Sequence, residues 1–204
     1  MNKFDKQGYV IVKGLVEKEL ATFLYNYSLM KRNTLNVLLK TKYISPFEKI
    51  HGIYNDIQVP NTFSIYGDVA METLLLRYHG EMEKHTGLTL YPNYAYMRVY
   101  KYGDVLERHK DRYSCEISTT ISLGGDMWPI YLKPSNKQKE IKVMLGPGDL
   151  LIYKGSVQEH WREPFNGEVC AQVFLHYTDA SKPEALENIY DRRECLGLPA
   201  YLKK

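Results

Sequence analysis

Three cysteines among 204 residues leave little room for disulfide or cluster chemistry. Cys115, Cys170 and Cys195 are odd in number and widely spaced, and no CxxC pair exists. Neither a disulfide framework nor a structural zinc site is therefore indicated. Free thiols in a reducing, cytoplasmic setting are the expectation. Long apolar runs are missing as well. No stretch approaches a membrane span, and the opening MNKFDKQGYVIVKGL lacks the apolar run of a secretory signal. Charge of one sign is scarce: a net +3 is too small to define a nucleic-acid surface. Repeats, linkers and low-complexity tracts are absent too. What remains is an ordinary globular balance, 44% hydrophobic and 25% charged, at a length that suits one domain with a sizeable core.

Tyrosine is the residue in excess, with 18 copies. Its placement follows the organisation of the chain. Tyr9 to Val12 reads as a short strand. Residues 17–31 carry Leu20, Phe23, Leu24 and Tyr27 at near-helical spacing, and residues 69–85 predict a second helix that ends at Gly87. Between them, 41–62 reads as a long loop with Pro46, Gly52 and Pro60. From residue 88 the texture changes to short strands separated by turns. In 94–102, Tyr94, Tyr96, Arg98, Tyr100 and Tyr102 alternate with Ala95, Met97, Val99 and Lys101. One face of that strand is therefore either a solvated surface or a polar pocket wall. Further strands are predicted at 117–123, 128–132, 141–145, 149–153 and 168–177. The expected architecture is mainly β with flanking helices. A double-stranded β-helix, or jelly roll, over 88–178 packs against a mostly helical support at 1–87, and 179–204 forms a short helix and a tail.

His109-Lys110-Asp111 is followed 49 residues later by His160. Two neutral imidazoles and one carboxylate are the ligand set of a facial triad, which leaves the opposite positions of an iron ion open. Residues two apart in a strand point the same way, so His109 and Asp111 reach one ion together and Lys110 faces elsewhere. His160 arrives from another strand. His51, His79, His85 and His176 have no matching partners and are read as structural, with His176 the nearest competitor for the third ligand.

The series Tyr100, Gly103, His109-Lys110-Asp111, Gly124-Gly125, Gly146-Pro147-Gly148-Asp149 and His160 resembles the Fe(II)/2-oxoglutarate-dependent oxygenases, closest to the prolyl-hydroxylase-related branch. The likeness extends over about residues 88–178. It implies a hydroxylase that uses Fe(II), 2-oxoglutarate and O2 on a small-molecule or peptide substrate. It also implies His109, Asp111 and His160 as metal ligands and Tyr100 as a contact to the oxoacid. One departure stands out. Family members place Lys or Arg nine or ten residues after the distal His, and those positions here are Val169 and Cys170. A buried carboxylate needs a cationic or multiply donating partner, so Arg162 is the first substitute and Arg98 and Lys133 are the others. Arg162 has the competing reading of an ion pair with Glu116 or Glu163. Arg112 and Glu116 are expected to pair with each other or to line the entrance. Trp128 and Trp161 read as packing residues, with Trp161 also a possible pocket wall.

Two rival readings stand beside this one. The missing basic residue after His160 favours a non-catalytic metal-binding or sensor module on the same fold. A cupin-type dioxygenase that uses no oxoacid fits less well, because such sites cluster histidines as His-x-His and this chain has none. No basic, aromatic-interleaved surface promotes a nucleic-acid substrate.

Overall fold

Alternating apolar and tyrosine residues build the longest strand of the molecule, Leu90–Lys101. The computed structural model describes residues 3–134 and 139–204. In chain order the main elements begin with α1 (Lys3–Gln7), β1 (Tyr9–Val12), α2 (Lys18–Lys40), β2 (Phe63–Tyr66), α3 (Val69–Arg77) and α4 (His79–Thr86). The strands β3 (Leu90–Lys101), β4 (Leu106–His109), β5 (Ile117–Gly125), β6 (Ile130–Lys133) and β7 (Ile141–Val143) follow. The last three are β8 (Leu150–Lys154), β9 (Glu159–Arg162) and β10 (Val169–Asp179). A six-stranded sheet runs β1-β8-β5-β10-β3-β2, and a four-stranded sheet runs β4-β9-β6-β7. All pairings are antiparallel. The two sheets form the jelly roll.

The period of two decides which side chain faces which layer. On β3, Ala95, Met97 and Val99 are buried against the helices, in one cluster with Val173 and Leu175 of β10 and Ile121 of β5. Their alternates Tyr94, Tyr96, Arg98 and Tyr100 face the inside of the roll. The tyrosine face of the sequence is thus a pocket wall. A second cluster, Tyr100, Leu106, Trp128, Phe165, Cys170 and Phe174, closes one end of the interior.

The helices differ from expectation in extent. Helix α2 continues to Lys40 rather than stopping near 31, because no Gly or Pro interrupts 18–40 and Leu35 extends the buried stripe of Ala21, Leu24 and Ser28. It lies close on β5: a Cβ at Gly124 would come within 2.9 Å of the Tyr25 ring. The segment 69–85 divides at Tyr78 into α3 and α4. Asp68 caps α3 by accepting from the amides of Ala70 and Met71. Gly87, in the left-handed conformation at φ 73°, ends α4. The short edge strand β2 lies outside the sequence expectation, which placed no strand between the helices. At the C-terminus, 3₁₀ turns over Pro183–Arg192 lie on β3, and Tyr190, Asp191 and Arg192 all take positive φ. No helix among the described residues is long and apolar enough to cross a membrane.

Candidate metal centre

His109 closes β4 and His160 lies within β9, opposite it in register. No strand was predicted at 159–162 itself; β9 forms because its alternation buries His160 and Arg162 and leaves Glu159 and Trp161 outside. The two rings stand 4.3 Å apart, centroid to centroid. Asp111 follows the end of β4 and donates its amide to Gly155 O. Its Oδ1 is 3.5 Å from His109 Nε2 and 3.4 Å from His160 Nε2. The ligand atoms of His109, Asp111 and His160 all lie within 4.8 Å of one another.

The far side of each ring shows what these atoms can do. His109 Nδ1 is 2.7 Å from Glu107 O, and His160 Nδ1 is 3.1 Å from Gln158 O. A carbonyl only accepts, so each Nδ1 carries the hydrogen and each neutral ring turns a bare Nε2 towards Asp111. Three lone pairs then converge, and a cation must sit among them, either a proton or a metal. Burial raises the Asp111 carboxyl, but His109 and His160, when a proton rather than a metal sits at Nε2, outweigh it and hold it well below the usual carboxylate range. Burial likewise depresses His109, yet Asp111 and Glu107 O outweigh it and leave the imidazole above its ordinary value.

The triad forms one wall of a cavity of about 410 Å³. Tyr94, Tyr96 and Arg98 of β3 face it, as do Phe174 and His176 of β10. Lys110 lies on its rim instead of facing elsewhere, because strand geometry ends at His109. Asp56 and Gln58 reach in from the 41–62 loop.

No sequence family matches the chain, and no curated protein sequence is significantly similar to it. Its fold does match solved structures. A Pseudomonas putida prolyl-4-hydroxylase aligns at a TM-score of 0.67 and 12% identity, over 87% of this chain and 96% of that one. The non-haem α-ketoglutarate-dependent epimerase SnoN of nogalamycin biosynthesis aligns at 0.63 and 14%, over 87% and 79%. HygX from Streptomyces hygroscopicus, solved with nickel and 2-oxoglutarate bound, aligns at 0.58 and 13%, over 87% and 85%. The fold is that of the 2-oxoglutarate- and Fe(II)-dependent oxygenases.

On this oxygenase fold the four candidate oxoacid contacts take different positions. Arg162 points inward beside Leu106, its partner in register, and only 1% of the residue is exposed. Its Nη1 donates to Trp128 O at 2.5 Å, while Nε and Nη2 have no hydrogen-bond partner. Among the described residues no carboxylate pairs with it, so the pairing with Glu116 or Glu163 does not form. Glu116 pairs with Lys182 instead. Burial pushes the Cys170 thiol up, and the Arg162 charge pulls it down. Tyr100 is fully buried, edge-on to Trp128. Arg98 lines the cavity but is already engaged: Nη2 is 2.8 Å from Asp56 Oδ1, Nε donates to Ser64 Oγ, and Nη1 is 3.4 Å from the Tyr100 hydroxyl. Lys133 lies outside, half-exposed and leaning towards Glu159, since Leu132 takes the inward position on β6.

Arg112 lines the cavity, one of the two outcomes expected of it, whereas Tyr66 and Lys203, which line it too, were not singled out in the sequence. Arg112 does not meet Glu116; it grips Asp191 through Nη1 at 2.8 Å and Nη2 at 2.7 Å. Asp191 also accepts from the Tyr66 hydroxyl and pairs with Lys203. Nothing local in the sequence signals contacts made 79 residues apart. His176, read as structural, lines the cavity, and burial pushes its imidazole down to about 4. Trp161 stacks outside on Tyr131 and under Arg108, away from the cavity.

Proposed function

We propose that this protein is an Fe(II)- and 2-oxoglutarate-dependent dioxygenase, with hydroxylation of a protein residue, an amino acid or a small metabolite as its reaction. The observation that carries the reading is the convergence of Asp111 Oδ1 with the bare Nε2 atoms of His109 and His160 on a cavity wall. One carboxylate and two imidazoles fit iron of the non-haem oxygenase type. When bound, such an iron supplies activation of O2 at the expense of oxidative decarboxylation of the oxoacid.

The chain's own residues do the rest. The carbonyls of Glu107 and Gln158 lock both imidazole tautomers, so that no proton has to leave Nδ1 on metal uptake. Arg162 is a buried cation with two free donors, and a dicarboxylate supplies the anion that it lacks. Tyr100 and Trp128 wall that end of the interior and keep water from the pair. The tyrosines of β3 and the 41–62 loop leave room for a second substrate above the metal ligands. Structures of similar fold include a prolyl hydroxylase in complex with a peptide fragment and the epimerase SnoN in complex with nogalamycin RO, so both peptide and small-molecule substrates suit this scaffold.

Anaerobic titration of the Fe(II)-loaded protein with 2-oxoglutarate tests the proposal. A saturable metal-to-ligand charge-transfer band is expected, lost in Asp111→Ala and weakened strongly in Arg162→Ala. Iron binding without a band in the wild type would redirect the reading to a non-catalytic metal-binding module. Substrate turnover by Asp111→Ala at the wild-type rate would sink it altogether.

A further inference from the structure

Only one oxygen of Asp111 faces the imidazoles. The other, Oδ2, lies 3.0 Å from Ser118 Oγ. Ser118 is fully buried, and Cys115 and His176 beside it are 4% and 6% exposed. The Ser118 hydroxyl touches three groups: Asp111 Oδ2, Cys115 O at 2.9 Å and His176 Nδ1 at 2.9 Å. A hydroxyl has a single proton to give. With a bare Nδ1 on His176, three acceptors would compete for it, and two would stay unpaired in a buried site. The conflict disappears when His176 Nδ1 carries hydrogen and donates to Ser118 Oγ. The Ser118 proton is then free for Asp111 Oδ2, shared with Cys115 O.

Sheet register places this chain of hydrogen bonds. Ser118 of β5 lies opposite His176 of β10, and His176 lies opposite Tyr94 of β3. The Tyr94 ring rests on the imidazole at 4.5 Å between centroids, and its hydroxyl meets Cys115 Sγ at 2.9 Å. On the other flank the main chain closes the site, because a Cβ at Gly155 would collide with Asp111 Oδ2, Cys115 O and Ser118 Oγ. Asp111, Cys115 and His176 also bring possible ligand atoms within 4.8 Å of one another. The bonds of Cys115 to Tyr94 and of His176 to Ser118 assign that cluster to support of the carboxylate.

We propose that Ser118 and His176 are positioning residues, which tie Asp111 Oδ2 through a His176–Ser118–Asp111 relay and leave Oδ1 alone to join the imidazoles at the metal. The inference rests on the metal-site reading above. Its test uses Co(II) as the probe, with the affinity and the d–d spectrum of the bound ion as readouts. Ser118→Ala and His176→Leu are expected to weaken Co(II) binding about 10–100-fold and to change the spectrum as Oδ2 is released. His176→Asn, whose amide NH2 stands in for Nδ1–H, is expected to stay within about threefold of wild type. Thermal unfolding without metal checks that each variant folds; if His176→Leu does not, Ser118→Ala carries the test. Wild-type affinity and spectrum in Ser118→Ala overturn the relay and leave the metal site standing, and so does His176→Asn falling as far as His176→Leu. Wild-type protein that takes up no Co(II), or His160→Ala that binds it equally well, overturns the metal site and the relay together.

Discussion

At the scale of single residues, the buried guanidinium of Arg162 is the most exposed to experiment. Two of its donors lack partners in a site closed to water, and such donors cost about 1–3 kcal/mol in the ligand-free fold. Methionine has a similar volume and no donor to leave unpaired. Arg162→Met is therefore expected to raise the stability of the ligand-free protein by about 1–3 kcal/mol in urea unfolding while abolishing oxoacid binding. A destabilised Arg162→Met would mean that the guanidinium holds the fold rather than awaiting an anion.

His109 gives the residue scale a pH signature. Its folded pKa lies above the ordinary imidazole value of about 6.5, so its stabilisation of the ligand-free fold is complete below that pH and is lost as pH rises through the folded value. Asp111 has the opposite sign: its depressed carboxyl stabilises above about pH 3.9 and loses that contribution only in stronger acid. Metal needs the same Nε2 that the proton holds. Raising the pH from 6 to 8 should thus lower this pair's share of ligand-free stability while Co(II) binding tightens. The difference in unfolding free energy between wild type and His109→Ala isolates the first effect. A difference that does not change with pH counts against proton-shared geometry at the triad.

At the scale of elements, most strands were legible, apart from β2 and β9, and so was the existence of the 41–62 loop; the contacts made by loop side chains were not. The 94–102 alternation was readable because burial on one face of β3 enforces a period of two. His109 and Asp111 stood out as a His-x-Asp pair, although the strand that was expected to align them ends at His109. The division of 69–85 at Tyr78 was hidden because both halves keep helical spacing. The reach of Asp56 into the cavity, and the hold of Asp191 on Arg112 at its wall, were hidden because they depend on how distant segments fold back. The 41–62 loop shows this most clearly. Asp56 accepts from Tyr96 at 2.5 Å, pairs with Arg98, and takes the amides of Gln58 and Val59. Burial raises its carboxyl, yet Arg98 and these donors outweigh it and keep it charged. One side chain thus fastens the loop over the cavity. Asp56→Ala is expected to speed amide exchange across 41–62 by about tenfold or more, with Co(II) affinity unchanged. Unaltered exchange would show that the loop is held by its apolar contacts instead.

At the scale of the whole molecule, the two sheets meet at the candidate metal site. His109 and His160 belong to the four-stranded sheet, while Ser118 and His176, which hold Asp111, belong to the six-stranded one. Arg162 adds a second junction, since it starts on β9 and lies over the Trp128 ring, which packs in one cluster with Tyr100 of β3 and Cys170 of β10. A metal and an oxoacid bound at these points would clasp the sheets together, and neither finds such a site in the unfolded chain. Linkage then sets the size of the effect: about 2.7 kcal/mol for a ligand at 100 times its Kd, or roughly 5–10 °C in Tm for a chain of this length. Co(II) with 2-oxoglutarate is expected to raise the Tm of the wild type by that order, Co(II) alone by less. Arg162→Met should keep the metal increment and lose the oxoacid increment. Equal increments in wild type and Arg162→Met would place the oxoacid elsewhere. The Arg98 side of the cavity would then be where to look, because that guanidinium is a buried cation lining the same cavity as the candidate metal ligands.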